Sequence, residues 1–202
     1  MKRTKQDAEI TKDYIIKTAL KTFSRKGYSG TTLVDIAKEA NLTRGAIYWH
    51  FKDKAELYTE IINNYIMLEK RLIEQRFHSN DTAFNKLEGI IGDFFSELIN
   101  DEDFRAIEQI SRFKIEHNDE IIESKKIWMN FIDYATNVVI ELLEQGKKTG
   151  EFSKNIPSEI TAIALFSYIM GIEITWLENT DRFSLKDFQK ELINIFFNSI
   201  RK

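Results

Sequence analysis

One proline and eight glycines are all that interrupt 202 residues, and the stretches between them repeat apolar side chains at intervals of three and four. Ile16, Ala19, Leu20 and Phe23 follow that spacing, which places them on one face of a helix, and Gly27 suits the left-handed residue that ends one. Thr31 or Thr32 can cap a short second helix over 33–40. Thr43 can cap a third of about two turns, and Asp53 a long fourth with a stripe of Leu57, Ile61, Tyr65, Leu68 and Leu72. Residues 78–81 read as a linker. Phe84, Leu87, Ile91, Phe94 and Leu98 mark another amphipathic helix, and 104–117 a shorter one. Ile127, Phe131, Tyr134, Val138 and Leu142 mark a long one that stops around Gly146 and Gly150. Pro157 sits where the first helical residue belongs, opening a helix to Glu178. Ser184 caps the last, with Leu185, Phe188, Leu192 and Ile195 on its stripe. No segment alternates with period two, so the expected architecture is all-α with about nine helices.

The composition narrows the chemistry. With no cysteine, disulfides, thiolate metal sites and cysteine nucleophiles are ruled out. The N-terminal residues are polar and lack a signal-peptide core, and no later run approaches the roughly 18 uncharged apolar residues that span a bilayer. The expectation is a cytoplasmic protein without a membrane partner. The net charge of −3 is unevenly spread: residues 1–58 carry 12 Lys and Arg against 7 Asp and Glu, and the remainder is acidic. A basic quarter on an acidic body directs one end toward a polyanion, although charge segregation on solvated helix faces gives the same sum.

Residues 32–51, TLVDIAKEANLTRGAIYWHF, carry the most information. Two short helices separated by a tight turn and braced by a longer helix are helix-turn-helix geometry. Ile36, Ala37 and Ala40 give the first of the pair an inner face, Leu42 plugs the turn, and Ile47 and Phe51 anchor the second. Thr43, Arg44, Gly45, Tyr48, Trp49 and His50 remain for the outside, with Trp49 equally able to pack between helices. No carboxylate occurs from Ala40 to Lys52, as a surface approaching phosphates requires. Arg44 can reach a guanine edge with its fork, and Gly45 lets the backbone come close to DNA. Tyr48 and His50 can donate to phosphate oxygens or contact a thymine methyl. Lys54 with the fourth helix's first amides, and Thr32 at the start of the second helix, can hold phosphates. Lys2, Arg3 and Lys5 form a candidate basic arm.

The stretch TTLVDIAKEANLTRGAIYWHFKDKAEL resembles the N-terminal signature of TetR-family transcriptional regulators, and its block TRGAIYWHFKDK is similar to the AcrR and TtgR-like repressors of multidrug efflux operons. YIMGIEITWL, residues 168–177, resembles the penultimate helix of that subgroup. The resemblance implies a homodimer with operator-binding N-terminal domains, here residues 1–55, and a C-terminal domain, residues 56–202, that dimerises through its last two helices and encloses a ligand pocket. It places the face bearing Phe166, Ile169, Met170 and Glu173 toward that pocket, with Gln109, Ile110 and Phe113 opposite. Ile62, Tyr65 or Ile66 of the fourth helix would close it. Residues 109–120 match the subgroup only loosely.

Read from the residues alone, the body is less specific. Ala164, Ser167 and Gly171 recur at spacings of three and four, a stripe of small side chains that admits another helix closely. With Leu192 and Ile195 on the last helix it is a candidate dimer interface, and ordinary intramolecular packing explains it equally well. Phe, Met and Ile with one carboxylate suit a pocket for aromatic or cationic compounds, and equally a plain core. The expected partners are double-stranded operator DNA, a small-molecule inducer and a second copy of the chain. The alternatives are a regulator answering a metabolic, fatty-acid-like ligand, and a helical enzyme. For the enzyme, Ile47, Gln75 and Lys114 stand three before His50, His78 and His117, so the Glu-x-x-His pairs of a di-iron bundle are missing. GxxxxGK, GxSxG and HExxH motifs are missing too. No metal or cofactor is expected.

Overall fold

The computed structural model describes residues 5–115 and 119–201. Among these the chain forms nine α-helices: α1 (Lys5–Lys26), α2 (Leu33–Glu39), α3 (Arg44–His50), α4 (Lys54–Phe77), α5 (Ala83–Asn100), α6 (Glu102–Gln109), α7 (Ile122–Thr149), α8 (Ser158–Glu178) and α9 (Leu185–Asn198). The expected helix over 104–117 is instead α6 followed by a π-helical segment, Ile110–Lys114, and a 3-10 turn, Asp119–Ile121, precedes α7. Pro157 is the residue before α8 rather than its first, with extended ψ of 120°. Its ring still fixes φ at −73°, ready for the helix that follows.

Contacts divide the chain into two units: the chain up to Ile66 with Glu102–Trp128, and Met67–Asp101 with Met129–Lys202. In the first, α1 packs against α2, α6 and the π-segment, and α2 packs on α3. Its core is Ile15, Ala19, Phe23, Ile36, Ile47, Phe51 and Leu57, all essentially buried. Phe23, Tyr28 and Tyr58 form an aromatic cluster with centroids 5.4–6.1 Å apart, the range in which tilted and edge contacts are favourable. Gly27 takes φ of +76° after α1, a conformation in which any Cβ is strained.

In the second unit α5 and α8 pack on α9. Ile91, Phe95, Leu165, Tyr168, Ile169, Ile193 and Phe196 line a closed apolar seam among these three helices. Phe152 is fully buried and stacks on Phe197, while an antiparallel bridge to Arg201 ties it to the chain's end. That approach requires Gly146, because a Cβ there would lie 2.2 Å from the Phe152 ring.

One expectation about hydropathy is corrected. Ser158–Glu178 is long and apolar enough to cross a membrane, with a mean hydropathy of 1.7 over 18 residues. The helix reads this way because it is apolar on two sides. Ala162, Leu165, Trp176 and Leu177 face inward, whereas Ile160 and Ile163 are more than half exposed.

Candidate nucleic-acid interface and regulatory elements

The helix pair α2–α3 is built by its caps. The Thr32 hydroxyl accepts the Asp35 N–H at 3.1 Å, and the Asp35 carboxylate accepts the Thr32 N–H at 3.0 Å. This reciprocal box satisfies two of the helix's orphan donors. The Thr32 side chain, followed by Lys26, holds the Asp35 carboxyl well below the usual range. Thr32 is therefore a cap whose hydroxyl is already engaged by Asp35. At the other end of α2 the Leu42 N–H donates to the Ala37 carbonyl at 2.9 Å and the Asn41 N–H to the Lys38 carbonyl at 3.1 Å, with Asn41 at φ 54°. This paired closure ends a helix and turns the chain sharply, and Asn is among the few L-residues that accept the left-handed region. Thr43 then caps α3 by accepting the Ala46 N–H at 3.2 Å.

α3 buries Ile47 and, at its end, Phe51, and turns the rest outward. Arg44 and Gly45 are exposed, Tyr48 is 54% and Trp49 70% exposed, and His50 is half-buried with its ring edge-on to Trp49. Trp49 thus stands on the surface rather than between helices. A Cβ at Gly45 would meet only the Thr43 hydroxyl, at 4.0 Å, so nothing inside the fold requires glycine there. Beside α3 lies an open cleft of about 810 Å³, lined by Thr43, Gly45, Ala46, Trp49 and His50 and by Lys5, Ala8, Glu9 and Lys12 of α1. Lys5 is the first residue of α1 and not part of an arm; Arg3 lies outside the described residues. Lys54 departs from expectation. Its ammonium donates to the Tyr28 carbonyl at 2.9 Å and sits 4.2 Å from that ring's centre, a cation–π contact that turns it onto the fold.

The corner after α1 is fastened to the π-segment. The Tyr28 N–H donates to the Lys114 carbonyl at 3.2 Å, the Lys114 ammonium donates to the Ser24 carbonyl, and the Tyr58 hydroxyl pairs with Ser111 at 3.2 Å. Burial is the main cause that pushes the Tyr58 phenol up to about 12. Behind this, the Tyr65 hydroxyl donates to the buried Glu108, whose carboxylate lies 3.5 Å from Arg112. The Tyr65 ring stacks on Trp128 at 5.5 Å and meets Phe104 at a tilt, 4.9 Å away.

The candidate ligand residues fall in both units. Ile62, Tyr65, Ile66 and Ile110 are buried, and Gln109 is half-buried. Phe113 is 45% exposed: the wider π-turn rotates it off the face of Ile110 that α-helical spacing gave it. On α8, Glu173 is 1% exposed, Phe166 is half-buried and Ile169 lies in the apolar seam. Met170 does not share their face. It is exposed with Ile160, Ile163, Ala164, Ser167 and Gly171, an outward stripe at helical spacing. α9 is likewise two-sided, since Leu185, Ile193 and Phe197 are buried while Phe188 and Ile195 are 52% and 62% exposed. The stripe expected on α9 lies mostly on its outer side, and the Tyr168 hydroxyl, donating to the Leu192 carbonyl at 2.9 Å, clamps the two helices together.

Sequence reasoning missed Glu69. It is 7% exposed on α4, where Ile62, Ile66 and Ile73 are buried at helical spacing and Leu68 is exposed. A carboxylate inside an apolar stripe was a signal available in the sequence.

A family model described as bacterial regulatory proteins, tetR family, matches residues 15–61, and one described as the C-terminal region of MAATS-type transcriptional repressors matches 83–201. The chain is similar to the HTH-type transcriptional regulator TtgR of Pseudomonas putida, 29% identical with 88% of this chain and 85% of that one covered. It is also similar to the HTH-type transcriptional regulator AcrR of Shigella flexneri, 30% identical with 96% and 91% covered. Among solved structures it matches NalD, the secondary repressor of the MexAB-OprM multidrug efflux pump in Pseudomonas aeruginosa, at a TM-score of 0.87 and 27% identity, covering 98% of this chain and 99% of that one. With the helix-turn-helix geometry at one end and the repressor C-terminal region over more than half its length, the chain belongs to the tetR family of bacterial regulatory proteins.

Proposed function

We propose that the protein is a repressor of a multidrug efflux operon, released from a palindromic operator by small apolar or cationic compounds. The observation that carries the DNA half is the surface of α3: Arg44, Gly45, Tyr48 and Trp49 are all exposed, without a carboxylate among them. Arg44 reads a base edge, Gly45 admits the backbone, and Thr43, Tyr48, Trp49, His50 and Lys5 position the helix on phosphate and sugar. Residues 1–55 read DNA in this scheme, and residues 56–202 bind ligand and dimerise. The efflux role rests on likeness to NalD, whose pump is named.

A reader of this kind covers two half-sites as a dimer. The outward stripes of α8 and α9, with Ala164, Ser167, Gly171, Leu192 and Ile195, supply an apolar surface for a second copy. The candidate ligand contacts are Ile62, Tyr65, Ile66, Gln109 and Ile110 in the first unit, and Phe166, Ile169 and Glu173 in the second. A ligand frees DNA only to the extent that it prefers the conformer with its α3 helices wrongly spaced. Such a protein works by equilibrium binding in the cytoplasm, without turnover.

Fluorescence anisotropy of the DNA upstream of its own coding sequence, titrated at several salt concentrations, tests the reading. Saturable, salt-sensitive and sequence-specific binding that cationic dyes or planar aromatics reverse is the expected result. Specific binding that no compound reverses overturns the multidrug role. Consumption of an added compound overturns the claim that the protein only senses.

A further inference from the structure

Lys12 of α1 stands between two places for its charge, both within the first unit. Its ammonium donates to the Glu60 carboxylate of α4 at 2.5 Å, and the same side chain lines the open cleft beside α3, together with Thr43, Gly45 and Trp49. The other lysine and glutamate of that cleft are Lys5 and Glu9. With Lys12 taken up by Glu60, these two charges cancel, a poor balance for a surface beside a DNA-reading helix. The partners are held unequally. Leu57, Tyr58, Ile61 and Ile62 bury the α4 turn on either side of Glu60, and the Tyr58 hydroxyl is paired with Ser111, so the carboxylate keeps its place. The Lys12 side chain is 31% exposed and carries its charge on a flexible four-carbon stem. The ammonium is the mobile member of a pair exposed enough to hold weakly.

We propose that Lys12 is a DNA-phosphate contact held in reserve, and that Glu60 sets the affinity for DNA by competing with the phosphate for the Lys12 ammonium. The inference rests on α3 being the DNA-facing helix. Glu60 does not touch DNA; it is a positioning residue that acts through Lys12. Each phosphate neutralised by a lysine releases a counterion from the duplex, and Lys12 supplies that gain only when it leaves Glu60. The carboxylate therefore holds binding below the strength the basic edge of α1 would otherwise give. A complex kept weaker in this way is released by a ligand with a smaller preference for the non-binding conformer.

Fluorescence anisotropy of the full-length parent, Glu60→Gln, Lys12→Gln and the double variant tests the competition, on the DNA upstream of the coding sequence and on a duplex of unrelated sequence. Glu60→Gln is expected to bind about threefold or more tightly at about 100 mM salt. Its plot of log affinity against log salt steepens by about 0.9, the equivalent of one phosphate. Lys12→Gln erases both effects, so the double variant binds like Lys12→Gln alone. Because a phosphate contact carries no base information, the order of the variants is the same on both duplexes. Unchanged or weaker binding by Glu60→Gln overturns the proposal. A gain that survives in the double variant overturns it too, since Glu60 would then act on DNA through its own charge. The regulator reading fails separately: the expected order on the unrelated duplex, without preference for the upstream DNA, supports the Lys12 contact and removes that DNA as the operator.

Discussion

The backbone N–H of Tyr28 donates to the carbonyl of Lys114, 3.2 Å away and 86 positions along the chain. The bond joins the corner that follows α1 to the π-helical segment that follows α6, and Gly27 makes the corner possible through its positive φ. Gly27→Ala places a Cβ in a backbone conformation that L-residues disfavour by roughly 1–2 kcal/mol. The space is not the difficulty, since that Cβ would meet the Lys114 oxygen at 3.6 Å. Thermal unfolding should show a lower midpoint for the variant; a midpoint equal to that of the parent would mean the corner tolerates another geometry.

Arg44→Ala should weaken cognate operator binding by about 1–3 kcal/mol and relax the preference at one base position. Gly45→Ala is a complementary probe, because alanine is favoured over glycine in a helix by about 1 kcal/mol and the site is open. The variant should melt no lower than the parent yet bind operator more weakly. Unchanged affinity in both variants would remove α3 from the DNA.

Ile195 is 62% exposed, so a charge there does not disturb a single chain. On the proposed pairing through α8 and α9, Ile195→Glu should sediment as a monomer where the parent sediments as a dimer, and bind operator more weakly, with helical content unchanged. A variant that still sediments as a dimer would place the contact elsewhere.

Glu69 governs stability. Its carboxyl is raised to about 7 in the fold, so the native state binds the proton more tightly than the unfolded chain does. Its stabilising contribution is complete below the unfolded carboxylate value and is lost as the pH rises through about 7. Glu69→Gln keeps the side chain neutral throughout, so its stability relative to the parent should grow between about pH 5 and about pH 8, by on the order of 3 kcal/mol. Denaturant unfolding at the two pH values checks this; parallel curves at both would show that Glu69 is solvated.

What the sequence revealed was local. The caps at Thr32, Thr43 and Ser184, the end of α1 at Gly27 and the outward set on α3 follow from neighbours within one turn. What it hid depended on distant groups. Lys54 reads as a surface cation until Tyr28, 26 residues away, receives it. The exposure of Phe113 depends on a π-turn that α-helical spacing does not anticipate. The outer stripes of α8 and α9 read equally as an interface or as ordinary packing, because an apolar stripe has the same periodicity in either role and only the fold shows which side is exposed.

Trp49 has an optical consequence. Of the three tryptophans, Trp176 is 7% exposed and Trp128 is stacked on Tyr65, whereas Trp49 is 70% exposed at the tip of α3. A hydrated indole emits at longer wavelength than a shielded one, so the red edge of the protein's intrinsic fluorescence belongs largely to α3. Quenching of that edge by DNA would report docking of the helix without any label on either molecule.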